Sequence, residues 1–126
     1  MGLFFQDERD HDFFKACERV RRTYREFNSS DIAKIAIYTQ AESFYLTYKG
    51  YKNIILKIRH NERFPDSTKA SLYDEIKKRM SEIKGVDEMS AGKIARILDE
   101  QPAPRFYISE SRAVAIYYNQ LRNGNK

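Results

Sequence analysis

The sequence aligns with itself when it is shifted by 62 residues, and this internal repeat constrains the fold more than any other feature. Residues 32–56 align with residues 94–118, and Ala41 then meets Ala103. Both segments contain small and apolar residues at helical spacing, a short break, the motif Phe-Tyr-aliphatic-Ser/Thr, and a second helical pattern. The repeat therefore predicts two halves of similar architecture.

A longer helical pattern precedes each repeated segment, because apolar residues recur there at steps of three and four. The predicted apolar faces consist of Phe13, Cys17, Val20, Tyr24 and Phe27 in the first half and Leu72, Ile76, Met80 and Ile83 in the second. The predicted helices span residues 10–27, 31–39, 48–60, 68–84, 91–100 and 110–122. We expect hydroxyl caps at Ser29 or Ser30, Thr47, Ser67, Ser90 and Ser109, and a helix stop at Gly85.

These patterns predict a mostly α fold of two tandem three-helix repeats packed as one compact domain. Aromatic and β-branched residues fit strands, so the two Phe-Tyr motifs could add a tiny β ribbon. The predicted divisions are an N-terminal tail at 1–9, a first repeat at 10–62, a linker at 63–67, a second repeat at 68–122, and a C-terminal tail at 123–126.

The composition is typical of a globular protein, with 41% hydrophobic and 33% charged residues in a chain of 126. Apolar runs such as residues 54–56 are far shorter than the ~20 residues that a membrane span needs, so no membrane association is expected. Cys17 is the only cysteine in the sequence, which rules out an intramolecular disulfide and suits a reducing compartment. We therefore expect a cytoplasmic protein.

The charge of the chain is positive and unevenly distributed. The formal net charge is +5, and the sequence pI is about 9.3. Residues 15–63 hold eleven Lys or Arg against five Asp or Glu. This excess favours an anionic partner such as nucleic acid, and it locates the interface in the first half.

Each repeated segment, 32–56 and 94–118, resembles the helix-turn-helix units of DNA-binding proteins, in which a helix, a break and a second capped helix follow one another. The connection at 39–47 is longer than the usual tight turn of those units. The resemblance implies a second helix that enters the major groove of duplex DNA.

The predicted helix 48–60 has a polar face opposite its apolar face. Lys49, Lys52, Asn53 and His60 lie on this face. Lysine and histidine suit phosphates, and Asn53 could read a base edge. An ordinary solvated helix surface explains the same pattern about equally well.

Arginines crowd the first predicted helix, and Arg22 and Arg25 are the most available for a ligand. Arginine forms strong bidentate bonds to phosphate. Pairing with Glu18 and Glu26 would instead give them a structural role, which we narrowly favour.

Two further arginines belong to the second half. Arg112 lies on the polar face of helix 110–122, and Arg105 stands next to Phe106. The Phe-Tyr motifs could stack on nucleobases. Because they recur at equivalent positions before an aliphatic residue and a cap, we interpret them as core.

The sequence offers little for catalysis. It holds two histidines and one cysteine, without a P-loop, a dinucleotide-binding turn or a metal-binding motif. We expect no enzyme activity, no cofactor and no metal. The leading hypothesis is a non-catalytic nucleic-acid-binding protein that binds duplex DNA through its basic helices.

A helical protein–protein interaction or scaffolding module, or a homodimer, is the alternative hypothesis. The aromatic content of 13% exceeds what one small core needs, and tyrosine is favoured at interfaces. This hypothesis predicts that Tyr48, Tyr118 or the cluster Leu3-Phe4-Phe5 is exposed.

Overall fold

A computed structural model describes residues 4–62 and 67–123. The described residues form six α-helices, namely α1 (Gln6–Thr23), α2 (Ser29–Ala36), α3 (Tyr48–Arg59), α4 (Ser67–Ser81), α5 (Ala91–Asp99) and α6 (Glu110–Arg122). A short 3-10 helix, Val86–Glu88, precedes α5. The predicted mostly α class is confirmed. Leu3, nearly all of the predicted linker and residues 124–126 lie outside the described residues.

Three predicted helix caps are confirmed. The side-chain oxygens of Thr47, Ser90 and Ser109 accept a hydrogen bond from the backbone N–H three residues later, at 3.0, 3.2 and 3.3 Å. α4 ends at Ser81, three residues before the predicted end at residue 84. Gly85 has a φ of +76°, a left-handed conformation that favours glycine, but it precedes the 3-10 helix Val86–Glu88 rather than ending α4. Ser67 was predicted to be a cap and is instead the first residue of α4.

The predicted cap of α2 at Ser29 or Ser30 is wrong. The cap is Asn28, whose Oδ1 accepts a hydrogen bond from the backbone N–H of Asp31 at 2.8 Å. Asparagine is among the best N-cap residues, and Ser29 already belongs to the helix. The helix therefore begins two residues earlier than predicted.

The first helix is shifted towards the N-terminus relative to the prediction. α1 begins at Gln6, within the predicted tail 1–9, and ends at Thr23. Because the helix ends there, Tyr24 and Phe27 leave the apolar face on which the periodicity placed them. They are 42% and 44% exposed, so the prediction that they continue the apolar face of the first helix is wrong.

The helices form two units, and the α3 unit consists of α3, α4 and α5. Arg79 on α4 holds the residues that follow α5. It donates to Glu75 and Gln101, each at 2.8 Å, and to the carbonyl oxygen of Pro102 at 3.0 Å. Its guanidinium also lies over the buried ring of Phe44, 5.2 Å from the centroid. One arginine thus satisfies polar groups beside an apolar core.

The α6 unit consists of α1, α2 and α6. Phe13 and Phe106 meet edge to face in its core with ring centroids 5.3 Å apart, a geometry worth about 0.5–1.5 kcal/mol beyond the buried area. The Phe106 N–H donates to the carbonyl oxygen of Ile37 at 2.9 Å. Ala41 and Ala103 exchange two backbone hydrogen bonds of 3.0 Å. These backbone bonds tie the end of α2 to the segment before α6.

Each unit therefore combines the first two helices of one predicted repeat with the third helix of the other. The predicted tandem organisation is not confirmed, and neither is the β ribbon. Within the described residues there is no β-strand, and the bridges Phe4–Leu46 and Ala41–Ala103 are isolated pairs.

Candidate nucleic-acid interface

A basic groove of about 790 Å³ runs along α1 in the α6 unit. His11, Lys15, Glu18 and Arg22 follow one another at steps of four, three and four, which puts them on one helix face. The described lining consists of His11, Phe14, Lys15, Glu18, Arg19, Arg21, Arg22 and Arg25. Five of these side chains are Lys or Arg, against the single acid Glu18, so the groove suits an anion.

Arg21 is held in place by its own unit. Its Nε donates to the Tyr117 hydroxyl at 2.6 Å and its Nη2 donates to Ser29 Oγ at 2.8 Å. The Tyr117 hydroxyl in turn donates to Glu18 Oε2 at 3.0 Å. Burial and the bond to Glu18 raise the pKa of Tyr117 to about 12, although the bond from Arg21 lowers it. Tyr117 therefore stays protonated, and Arg21 is a structural residue of the groove.

Glu18, the one acidic side chain in the groove lining, belongs to the same hydrogen-bonded cluster as Arg21 and Tyr117. Glu18 accepts from Tyr117 and lies 3.6 Å from Arg21 Nε. The alternative in which Glu18 and Glu26 pair with Arg22 and Arg25 is not observed. In residues 4–62 and 67–123, neither of these arginines makes an ion pair with a carboxylate. Both side chains are exposed and therefore accessible to a ligand.

The polar face of α3 belongs to the other unit. Lys49 and Lys52 are exposed, and Lys52 Nζ lies 5.7 Å from the ring centroid of Tyr48. His60 is exposed at the C-cap of α3, whereas Asn53 is half-buried. The face presents cations as predicted. The partial burial of Asn53 makes it less accessible than a base-reading residue should be.

The guanidinium of Arg105 packs against two aromatic rings. Its guanidinium carbon lies 4.7 Å from the ring centroid of Tyr38 and 5.2 Å from that of Tyr107. Its Nε donates to the carbonyl oxygen of Phe106 at 3.1 Å. Arg105 therefore braces the segment before α6.

Arg112 is exposed on α6 and lines a separate cavity of about 450 Å³. Asp10 of α1 lines the same cavity, so the local charge is mixed. Of the predicted site residues in the α6 unit, the structure brings together Arg22 and Arg25 in one groove, while Arg105 and Arg112 lie outside its lining.

The groove also contains residues that the prediction missed. Lys15 and His11 line it beside Arg22, and Arg19 joins them. Their spacing along α1 was a signal that could have identified them, because side chains four residues apart lie on the same helix face.

The Phe-Tyr motifs are mainly core. Phe44, Tyr45 and Phe106 are buried, and Tyr107 is half-buried. A role in stacking on nucleobases therefore does not fit the three buried rings.

Among the residues that the structure describes, no group of three or more His, Cys, Asp or Glu side chains is arranged to hold a metal ion. None of the described helices is both long and apolar enough to cross a bilayer. No protein-family model matches the chain, and neither the curated proteins nor the solved structures include a significant match to it.

Proposed function

We propose that this protein binds nucleic acid, in the form of duplex DNA, without catalysing a reaction and without a cofactor. The observation that carries the proposal is the basic groove along α1, lined by Lys15, Arg19 and Arg22 of the helix and by Arg25 just after its end. Binding would consist mainly of contacts to the phosphate backbone, which supply most non-specific affinity.

The dimensions of α1 suit this role. Lys15 and Arg22 are seven residues apart, which corresponds to roughly 10 Å along a helix. One DNA strand carries a phosphate about every 3.4 Å of duplex axis, so this length passes about three phosphates. Arg22 and Arg25 supply planar donors that match phosphate oxygens. A mode based on a helix-turn-helix pair is less favoured, since α2 and α3 belong to different units.

Charge reversal separates the two basic surfaces. Fluorescence anisotropy with labelled duplex DNA should show a large loss of affinity for Arg22→Glu/Arg25→Glu. Lys49→Glu/Lys52→Glu should weaken binding if the α3 face contributes, and unchanged affinity would remove those lysines from the interface. Lys84→Glu/Lys93→Glu changes two exposed lysines by the same charge and is the matched control. Circular dichroism checks that each variant is folded.

Equal losses for all three double variants would show a general charge effect without a defined interface. No binding of the unmodified protein to duplex DNA at low salt would overturn the proposal.

Exposed aromatic side chains support a second candidate function, the protein-interaction module. Phe5, Tyr48 and Tyr118 are 52%, 58% and 44% exposed. Large aromatic side chains are enriched at protein interfaces. Sedimentation equilibrium would test for a homodimer, which Tyr48→Ser or Tyr118→Ser should weaken. A monomer at high protein concentration would count against self-association.

The repeat supports a further structural proposal. The chain would be a duplicated three-helix motif in which the third helix of each copy packs with the first two helices of the other copy. Thr47 and Ser109, equivalent in the alignment, both cap a helix, and the equivalent residues Ala41 and Ala103 bond to each other. The single free cysteine suits our proposal that the protein acts in the cytoplasm.

A further inference from the structure

Two exposed aromatic rings lie immediately after α1 in the α6 unit. Tyr24 is 42% exposed and Phe27 is 44% exposed. Their ring centroids are 5.2 Å apart and the ring planes are tilted by 30°, so the two rings contact each other as a tilted pair. This arrangement resembles the stacked aromatic surfaces that take up a flat ligand.

The backbone fixes this pair in place. The Tyr24 N–H donates to the carbonyl oxygen of Val20 at 2.9 Å, and the Phe27 N–H donates to that of Tyr24 at 3.1 Å. Asn28 then caps α2 through its bond to the Asp31 N–H. Because hydrogen bonds and a helix cap define the backbone of this turn, a ligand would not have to order that backbone, which lowers the entropic cost of binding.

The pair is next to two arginines of the basic groove in the sequence. Arg22 precedes Tyr24 by two residues and Arg25 lies between the two aromatic residues, and both arginines line the groove. Positive charge beside a flat aromatic surface is the combination that proteins use for unpaired nucleotides, since phosphates contact the cations while a base stacks on a ring. An apolar protein partner would instead have to desolvate Arg25.

We propose that an unpaired nucleobase stacks on the Tyr24–Phe27 pair while the adjoining phosphates contact Arg22 and Arg25. The preferred ligand is then duplex DNA with a single-stranded extension. This inference rests on the proposed function, because the same groove holds the phosphates of the duplex part.

The test compares three DNA molecules by anisotropy: a blunt duplex, the same duplex with a short single-stranded extension, and the single strand alone. The extension carries 2-aminopurine, whose fluorescence falls when it stacks. We expect the extended duplex to bind about tenfold more tightly than the blunt one, the effect of one stacked base, with a fall in 2-aminopurine fluorescence.

The variant Tyr24→Ala/Phe27→Ala should lose both the preference and the fluorescence change while it keeps its affinity for the blunt duplex. Tyr118→Ala removes another exposed tyrosine of the same unit, on α6, and should keep both. Arg22→Glu/Arg25→Glu should weaken binding of all three DNA molecules.

The outcomes distinguish the two proposals. Equal binding of blunt and extended duplexes, with unchanged 2-aminopurine fluorescence, would overturn stacking and leave duplex binding standing. A single strand that binds as tightly as the extended duplex would support stacking and overturn the preference for duplex. A protein that binds none of the three would overturn both.

Discussion

The salt dependence of DNA binding measures directly how many cations of the α1 groove contact phosphates. The informative perturbation is Arg22→Gln/Arg25→Gln, which removes two positive charges from exposed side chains without adding carboxylates. Both positions are exposed, so the fold should tolerate the change. The variant therefore tests the chemistry of the groove separately from stability.

The expected magnitude follows from the contacts of each cation. Arg21 is excluded because Tyr117 and Ser29 already engage it. Lys15, Arg19, Arg22 and Arg25 remain. Four phosphate contacts predict a slope of log affinity against log salt of about −3.6, and thus a loss of roughly 150-fold between about 50 and 200 mM salt. The variant Arg22→Gln/Arg25→Gln keeps two of these contacts, which predicts a slope of about −1.8 and a loss of affinity of roughly 12-fold over the same salt range.

The assay is anisotropy with a blunt duplex at several salt concentrations across that range, for the unmodified protein, the glutamine variant and Lys84→Gln/Lys93→Gln. We expect the control variant to keep the steep slope, because its lysines lie outside the groove lining. If the arginine variant kept the slope of the unmodified protein, the groove would not be where phosphates bind. A slope reduced equally in the control would indicate a diffuse effect of net charge.

Three further predictions concern stability and reactivity. Arg79→Ala removes three hydrogen bonds and should lower the free energy of unfolding, measured in urea, by about 2–3 kcal/mol. The control Arg96→Ala, on the exposed side of α5, should change this free energy by less than about 0.5 kcal/mol. Similar small losses in both variants would contradict the role of Arg79. Burial and the charge of neighbouring Glu18 raise the pKa of the Cys17 thiol to about 12, so a disulfide reagent should label the native protein only as it unfolds, and rapid labelling without denaturant would show that the thiol is accessible. The raised pKa of Tyr117 stabilises the fold below the ordinary tyrosine pKa of about 10, and this contribution is lost as the pH rises towards 12. The stability difference between the unmodified protein and Tyr117→Phe should therefore shrink between about pH 10 and 12, and a difference that grew over this range would refute the assigned direction.

Local interactions explain what the sequence predicted correctly about the helices. Thr47, Ser90 and Ser109 cap helices through bonds that span three residues, so the pattern is visible without any tertiary context. The apolar steps predicted the buried Phe13 and Cys17 for the same reason. The periodicity failed where the helix ended.

Tyr24 and Phe27 show how that failure arose. Their spacing continues the apolar face of α1, but the helix ends at Thr23 and Asn28 starts the next one. A periodic pattern carries no information beyond the point at which the backbone changes direction. The two rings are therefore exposed.

The candidate site was only partly predictable. The concentration of positive charge on the first helix could be read from the residues, and the spacing of Lys15 and Arg22 placed them on one face. Which arginine is available depends on partners distant in the chain. Tyr117 is 96 residues from Arg21, and its hydroxyl links that guanidinium to Glu18.

By itself, the sequence determined the helical class and most helix boundaries, because caps and apolar periodicity act over a few residues. The tertiary structure alone decided which third helix joins which pair. α3 packs with α4 and α5, and α6 packs with α1 and α2. Since the helices of the two predicted repeats have similar apolar patterns, either pairing would satisfy the local pattern, and the choice depends on the packing of side chains far apart in the chain.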